Sequence, residues 1–315
     1  RQRAQRFFLH HKLLELPMFA ECGEAFVAEL TEYASERKVA EGEIIVKEST
    51  PGDRMFFILR GSCAVLVDDI HVDTLRASTR TAAAAVGEMV LLGITESWQA
   101  TLRAASQCAV VELLSEDFER ALEEHPEEQL RFEAIKLAHD QPEYIYAGTL
   151  HHPVGLFRGF PDAVLKTIDA FAARQLYFPG QKLMEEGQPG QDLLILVNGH
   201  VRMELAGKVV RELSVDVAAA VVRSIGRKVA KQRGHTRRAP AARDLSRSAV
   251  SFGELCFLGM RETRSASVVA TEVCQVRVVY KEILMRTLHD SSELARQAAA
   301  LVRGAALGKP SQADL

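Results

Sequence analysis

The chain has 315 residues, of which 47% are hydrophobic and 26% charged, with a formal net charge of -3. That length suits two domains better than one, and the near balance of charge gives no global attraction to nucleic acid or to a membrane. Apolar runs stay short of the roughly 18 residues a spanning helix needs, and the opening RQRAQRFFLHHK is neither a signal peptide nor a start at Met. A cytoplasmic segment of something longer, such as the cytoplasmic part of a membrane protein, is expected.

In chain order, residues 1–16 read as a helix whose apolar face (Phe7, Phe8, Leu13, Leu14) can dock on the first domain or on a preceding one. A second helix is expected over Glu24–Tyr33. Short apolar runs bounded by Gly and Pro come next, at Ile44–Val46, Met55–Leu59 and Ala64–Val67, and read as strands. A further strand, Cys108–Leu113, leads into a helical tail over Ser115–His139. There Ser115 is placed to cap the start and Pro126 to break the helix in two. Residues 141–153 form a linker. His139, His151 and His152 lack a carboxylate or Cys at ligand spacing, so no metal is expected. The order then repeats: a helix over Asp162–Ala173, strands at Leu193–Val197, Val201–Leu205 and Cys274–Val279, a helix over Tyr280–Val302, and a disordered tail, 304–315. The five cysteines (Cys22, Cys63, Cys108, Cys256, Cys274) are odd in number and scattered, which fits reduced thiols packed as small hydrophobes.

The repetition extends to particular residues. VGEMVLLGITESWQATLRA (86–104) and FGELCFLGMRETRSASVVA (252–270) share Gly87/Gly253, Glu88/Glu254, Leu92/Leu258, Gly93/Gly259 and Ala100/Ala266 at an offset of 166. Upstream, Gly42, Glu48, Gly52 and Gly61 fall on Gly180, Glu186, Gly190 and Gly199 at an offset of 138. The second copy therefore carries 28 extra residues, within about 214–250. Many short strands with Gly turns, flanked by helices, imply an α+β fold of two tandem β-barrel, jelly-roll-like domains, 17–140 and 154–303. At the same offset as the shared residues, Trp98 stands where the second copy has Arg264. An Arg at that place can hold an anion through forked, charge-assisted hydrogen bonds; a Trp cannot.

The order PGD…F-I-L-R-G, then G-E-M/L, then R-S-A-S-V resembles the cyclic-nucleotide-binding domain family over nearly the whole chain. That family includes regulatory subunits of cyclic-nucleotide-dependent kinases, bacterial catabolite activators and cyclic-nucleotide-gated channels. The resemblance implies a non-enzymatic sensor of cyclic AMP or cyclic GMP, with no cofactor beyond that ligand. It implies a site in the second copy made of Gly253, Glu254, Leu255, Cys256, Arg264, Ser265 and Ala266, with Glu254 on the ribose 2′-hydroxyl and Arg264 on the phosphate. Ser265, a hydroxyl directly after the Arg, is compatible with either nucleotide. The first copy keeps Gly87, Glu88 and Thr101 but has Trp98, and is expected to be a degenerate site. The resemblance also implies a kinase or channel domain as partner, and signalling through the helices after each barrel. The competing reading is a scaffold that keeps the fold and binds no nucleotide.

Residues 215–247 carry Arg223, Arg227, Lys228, Lys231, Arg233, Arg237, Arg238, Arg243 and Arg247 against Asp216 and Asp244. Val217, Val221, Ile225 and Val229 recur every four residues, so the first half reads as a basic amphipathic helix and the second half as a loop. An acidic protein partner or an anionic membrane suits such a stretch; no helix-turn-helix follows either copy to read DNA.

Overall fold

The computed structural model describes residues 2–77, 84–139, 155–157, 165, 166, 168, 172–215 and 250–290. The chain separates into two compact units, Arg1–Gln141 and Pro142–Leu315. The basic stretch, the linker, the C-terminal tail and most of the helix expected over Asp162–Ala173 lie outside the described residues. Of that helix, residues 165, 166 and 168 are helical, while Ala173 already belongs to a strand.

In the first unit, helices α1 (Gln2–Leu14) and α2 (Glu24–Tyr33) precede a curled, open sheet. Its strands are β1 (Ser35–Val39), β2 (Ile44–Val46), β3 (Arg54–Val67), β4 (Ile70–Ala77), β5 (Ala84–Val86), β6 (Thr101–Ala104) and β7 (Cys108–Leu114). The short helix α3 (Glu88–Leu91) lies between β5 and β6; α4 (Ser115–Glu124) and α5 (Pro126–His139) come after the sheet. The path through the sheet is β1-β7-β3-β6-β2, with β4 and β5 also paired to β3.

The two short strands expected at 55–59 and 64–67 are one strand of 14 residues. Its first half pairs with β7 and β5 and its second half with β6 and β4, so β3 carries the curl. Gly61 is the pivot, at φ 101°. A Cβ there would stand 2.6 Å from the Gln107 carbonyl oxygen, a separation no side chain tolerates, so only Gly fits. The chain bends at Gly61 without leaving the sheet.

Alternation along β3 and β7 separates two cores. Ile58, Cys63, Cys108 and Val110 join Val39, Ala77, Leu102 and Ala104 inside the curl. Phe57 faces the helices instead, edge-on to Phe19 at 6.4 Å, and Phe19, Phe26, Phe118 and Phe132 complete an aromatic cluster. Each such ring stabilises the fold by about 1.5–3 kcal/mol through burial. The same division explains why β7 is apolar at every position but Glu112: both faces are covered.

The helix ends hold one correction. Pro126 opens α5, a first-turn position where its missing N–H costs nothing. Ser115, however, does not cap α4: the cap residue is Leu114, and the Ser115 hydroxyl is buried without a hydrogen-bond partner. The Ser115 N–H instead donates to the Asp53 carbonyl at 2.8 Å. Among the described side chains of α1, Leu9, Lys12 and Leu13 are buried, while Phe7 is 74% exposed; α1 packs on α2.

The second unit has β8 (Ala173–Tyr177), β9 (Lys182–Met184), β10 (Leu193–Leu205), β11 (Lys208–Val215), β12 (Val250–Phe252), α6 (Glu254–Phe257), β13 (Ser267–Ala270), β14 (Cys274–Val279) and α7 (Lys281–Asp290). Its sheet order, β8-β14-β10-β13-β9 with β11 and β12 on β10, repeats the first strand for strand. Gly199, at φ 116°, is the matching pivot. Residues 216–249 stand between β11 and β12 where the first unit has only 78–83 between β4 and β5. The length difference thus falls in one connection.

Candidate functional site

Each unit holds the segment after its short helix by the same backbone clamp. In the second unit, the Arg264 N–H donates to the Gln188 carbonyl at 2.9 Å and the Gly187 N–H to the Arg264 carbonyl at 2.9 Å. In the first unit, the Trp98 N–H donates to the Thr50 carbonyl at 2.9 Å and the Ser49 N–H to the Trp98 carbonyl at 2.8 Å. A bridge between Pro189 and Thr263, and between Pro51 and Ser97, extends each clamp. Positions 98 and 264 are therefore equivalent in space as well as in sequence.

The clamp aims both side chains into one kind of seat. Arg264, 7% exposed, lies between Gly190 and Gly253. A Cβ on Gly190 would stand 2.3 Å from Arg264 Nε, and one on Gly253 would stand 2.0 Å from Nη1. Gly253 is at φ 87°, in the left-handed region, so two reasons converge on Gly there. Arg264 Nη1 donates to the Asp192 carbonyl at 2.8 Å. A guanidinium has five N–H donors in a planar fork, so it can serve that carbonyl and an anion together.

Glu254 opens α6 directly after Gly253, and the Ser251 hydroxyl donates to its Oε1. Ser251 was missed in the sequence, although Ser251-Phe252-Gly253-Glu254 is the Ser-x-x-Glu spacing of a helix start. Gly190 was legible only as a repeated glycine; its purpose is room for the guanidinium. Leu255 is 41% exposed on α6, Cys256 and Ala266 are buried, and Ser265 is exposed.

In the first unit the seat is filled by an apolar ring. Trp98 is 8% exposed, packs on Phe56 with centroids 5.7 Å apart, and lies against Gly52 and Gly87. A ring so covered is not an open stacking platform for a ligand. Glu88 keeps the place of Glu254, but Ala85 stands where Ser251 would be. Burial pushes the Glu88 carboxyl above its ordinary value, and the N–H groups of Glu88 and Gly87 only partly offset this. The Thr101 hydroxyl accepts from the Glu48 N–H at 3.0 Å, as Ser267 does from Glu186 at 2.9 Å, so both are braces of the sheet. Among the described residues no group of three or more His, Cys, Asp or Glu could hold a metal ion.

Residues 36–125 match the family model described as the cyclic nucleotide-binding domain, and the second unit repeats the matched unit strand for strand. The fold is a tandem pair of cyclic-nucleotide-binding domains. A cyclic nucleotide-gated potassium channel of Mesorhizobium japonicum is 32% identical over 112 residues, 36% of this chain and 29% of that protein. One of Rhizobium etli is 30% identical over 126 residues, 40% of this chain and 34% of that protein. The chain thus spans only about a third of these channels' length. Among solved structures, the regulatory domain of Toxoplasma gondii PKA with cAMP is 17% identical, covering 94% of this chain and 97% of that chain, with a TM-score of 0.36. The regulatory subunit of a cAMP-independent protein kinase A from Trypanosoma brucei is 14% identical, covering 92% and 90%, also with a TM-score of 0.36. The family match falls on the unit that has Trp98 where the other has Arg264. Among the described residues no helix is long and apolar enough to cross a membrane.

Proposed function

We propose that the chain is a cytoplasmic sensor that binds one cyclic nucleotide, cyclic AMP or cyclic GMP, in its second domain. Arg264 holds the cyclic phosphate and Glu254 accepts from the ribose 2′-hydroxyl. Gly253 gives the ligand close access to backbone, and Leu255, Cys256, Ser265 and Ala266 surround it. The observation that carries this reading is the Arg264 guanidinium seated between Gly190 and Gly253, the residue that precedes Glu254. A buried cation needs oxygen partners, and a phosphate adds two to the one from Asp192. In the first domain Trp98 removes the cation, and that domain has a scaffold role.

The signal leaves through α7, which begins two residues after the last strand residue of the domain and carries Lys281 Nζ close to Gly259 at the end of α6's turn. A kinase or channel domain, in the same or another chain, receives it; the curated relatives are named as channels. The basic stretch 215–247 contacts an acidic partner or an anionic membrane.

Calorimetric titration of wild type, Arg264→Lys and Arg264→Ala with each nucleotide tests the assignment. Losing a buried charged hydrogen bond to phosphate costs about 2–5 kcal/mol, so Arg264→Ala should weaken binding by at least tenfold, with Arg264→Lys between. Equal affinity in all three would remove Arg264 from the site.

A further inference from the structure

The two domains differ at a second place besides the cation seat. Cys63 on β3 and Cys108 at the start of β7 have Sγ atoms 3.6 Å apart, both buried inside the curl of the sheet. Cys108 Sγ lies within donating reach of two carbonyls, that of Ser62 on β3 at 3.3 Å and that of Ser106 in the preceding turn at 3.1 Å. Gly61 allows this approach, since a Cβ there would stand 2.7 Å from Cys108 Sγ. In the second domain Cys274 lies against Gly199 in the same way, at 2.7 Å. But Val201, paired with Ala270, holds the register position that Cys63, paired with Ala104, holds in the first. The second domain has the matching half of the arrangement and not the pair.

We propose that Cys63 and Cys108 form a reversible disulfide under oxidation by hydrogen peroxide, closing a covalent loop around the segment that contains α3 and Trp98. A disulfide needs sulfurs about 2.05 Å apart, so the pair must close by roughly 1.5 Å. The strands are already tied side by side, with Arg60 paired to Ala109. Burial and the neighbouring thiol push the Cys63 pKa up to about 12. The proposed reaction starts at Cys108, which directly follows the turn at 105–107 and is reached first when that turn opens.

Cys108 loses its proton, and the thiolate attacks one peroxide oxygen. The O–O bond breaks, and the departing hydroxide takes a proton to become water, leaving Cys108 as a sulfenic acid. The Cys63 sulfur then attacks the sulfenic sulfur. The S–S bond forms, the S–O bond breaks, and the hydroxyl leaves as water with the Cys63 proton. Two thiols lose two electrons and one peroxide becomes two waters. The closed loop holds residues 64–107, including β4, β5, α3 and β6, and restricts the unfolded chain of the first domain.

The test uses the whole chain. Hydrogen peroxide treatment, alkylation and non-reducing peptide mapping by mass spectrometry should yield a Cys63–Cys108 cross-linked peptide, about two hydrogens lighter than its parts. Dithiothreitol should reverse it, its rate should rise with pH, and Cys274 should remain alkylatable. The melting temperature of the oxidised chain should rise by several degrees, a shift absent in Cys108→Ser. Complete peroxide consumption with Cys63 and Cys108 both still alkylatable, or converted only to sulfinic acids, would overturn the proposal. The mapping is done on wild type, so it does not depend on the variant folding.

Discussion

A guanidinium buried against backbone is stable only where oxygen atoms meet it, and an indole in the same seat asks for apolar neighbours. Arg264 has the Asp192 carbonyl; Trp98 has the Phe56 ring. Glu88 is the residue left behind by that exchange. Its folded pKa is raised above 4.5 by burial, so the folded chain keeps a proton over a range where the unfolded chain has released it. Stability therefore falls as pH rises from 4.5 through the raised value, and the full cost persists above it. Glu88→Gln should raise the melting temperature at pH 7, and the gain should vanish below about pH 4.5. A gain independent of pH, measured by calorimetric melting across that range, would contradict a buried-carboxylate origin.

At the scale of elements, a carboxylate braces the same hairpin in each domain. Glu186 Oε2 accepts from the Ala206 N–H at 2.7 Å, and Glu48 Oε2 from the Asp68 N–H at 2.6 Å, each across the turn that joins two long strands. Glu186→Ala should cost about 1–3 kcal/mol, the range for a lost charged hydrogen bond, and should speed hydrogen exchange at Ala206; unchanged exchange there would refute the brace. Much of the element order was legible because period-2 apolar runs and glycines mark strands and turns: Glu24–Tyr33 and Cys274–Val279 fall on the bounds expected of them. Strand length was not. Gly61 and Gly199 look like turn residues, yet their positive φ serves close contact with the next strand. Ser115 has the composition of a cap, but its N–H is drawn to Asp53 from a distant part of the chain. Both misreadings come from long-range contacts that local sequence does not contain. Within the site, Glu254, Arg264 and the Trp98 exchange were legible through the repeat, whereas Ser251 and Gly190 act through geometry only the fold supplies.

For the whole molecule, duplication gives two sheets of one strand order, and among the described residues they differ at the cation seat and the thiol pair, as well as in the length of the connection spanning 216–249. Because the first domain joins the equivalent strands with only 78–83, replacing 216–249 by that short link should leave the fold and ligand affinity of the second domain intact. Loss of ligand binding with folding retained, read by circular dichroism and titration, would assign the insertion to the site. In the proposed function, one domain of the pair senses a cyclic nucleotide and the other does not. Counting sites per chain by calorimetry, with cyclic AMP and cyclic GMP in turn, tests it most directly. One site that disappears in Arg264→Ala and persists in Trp98→Phe is the predicted result; two sites, or one that survives Arg264→Ala, would contradict it.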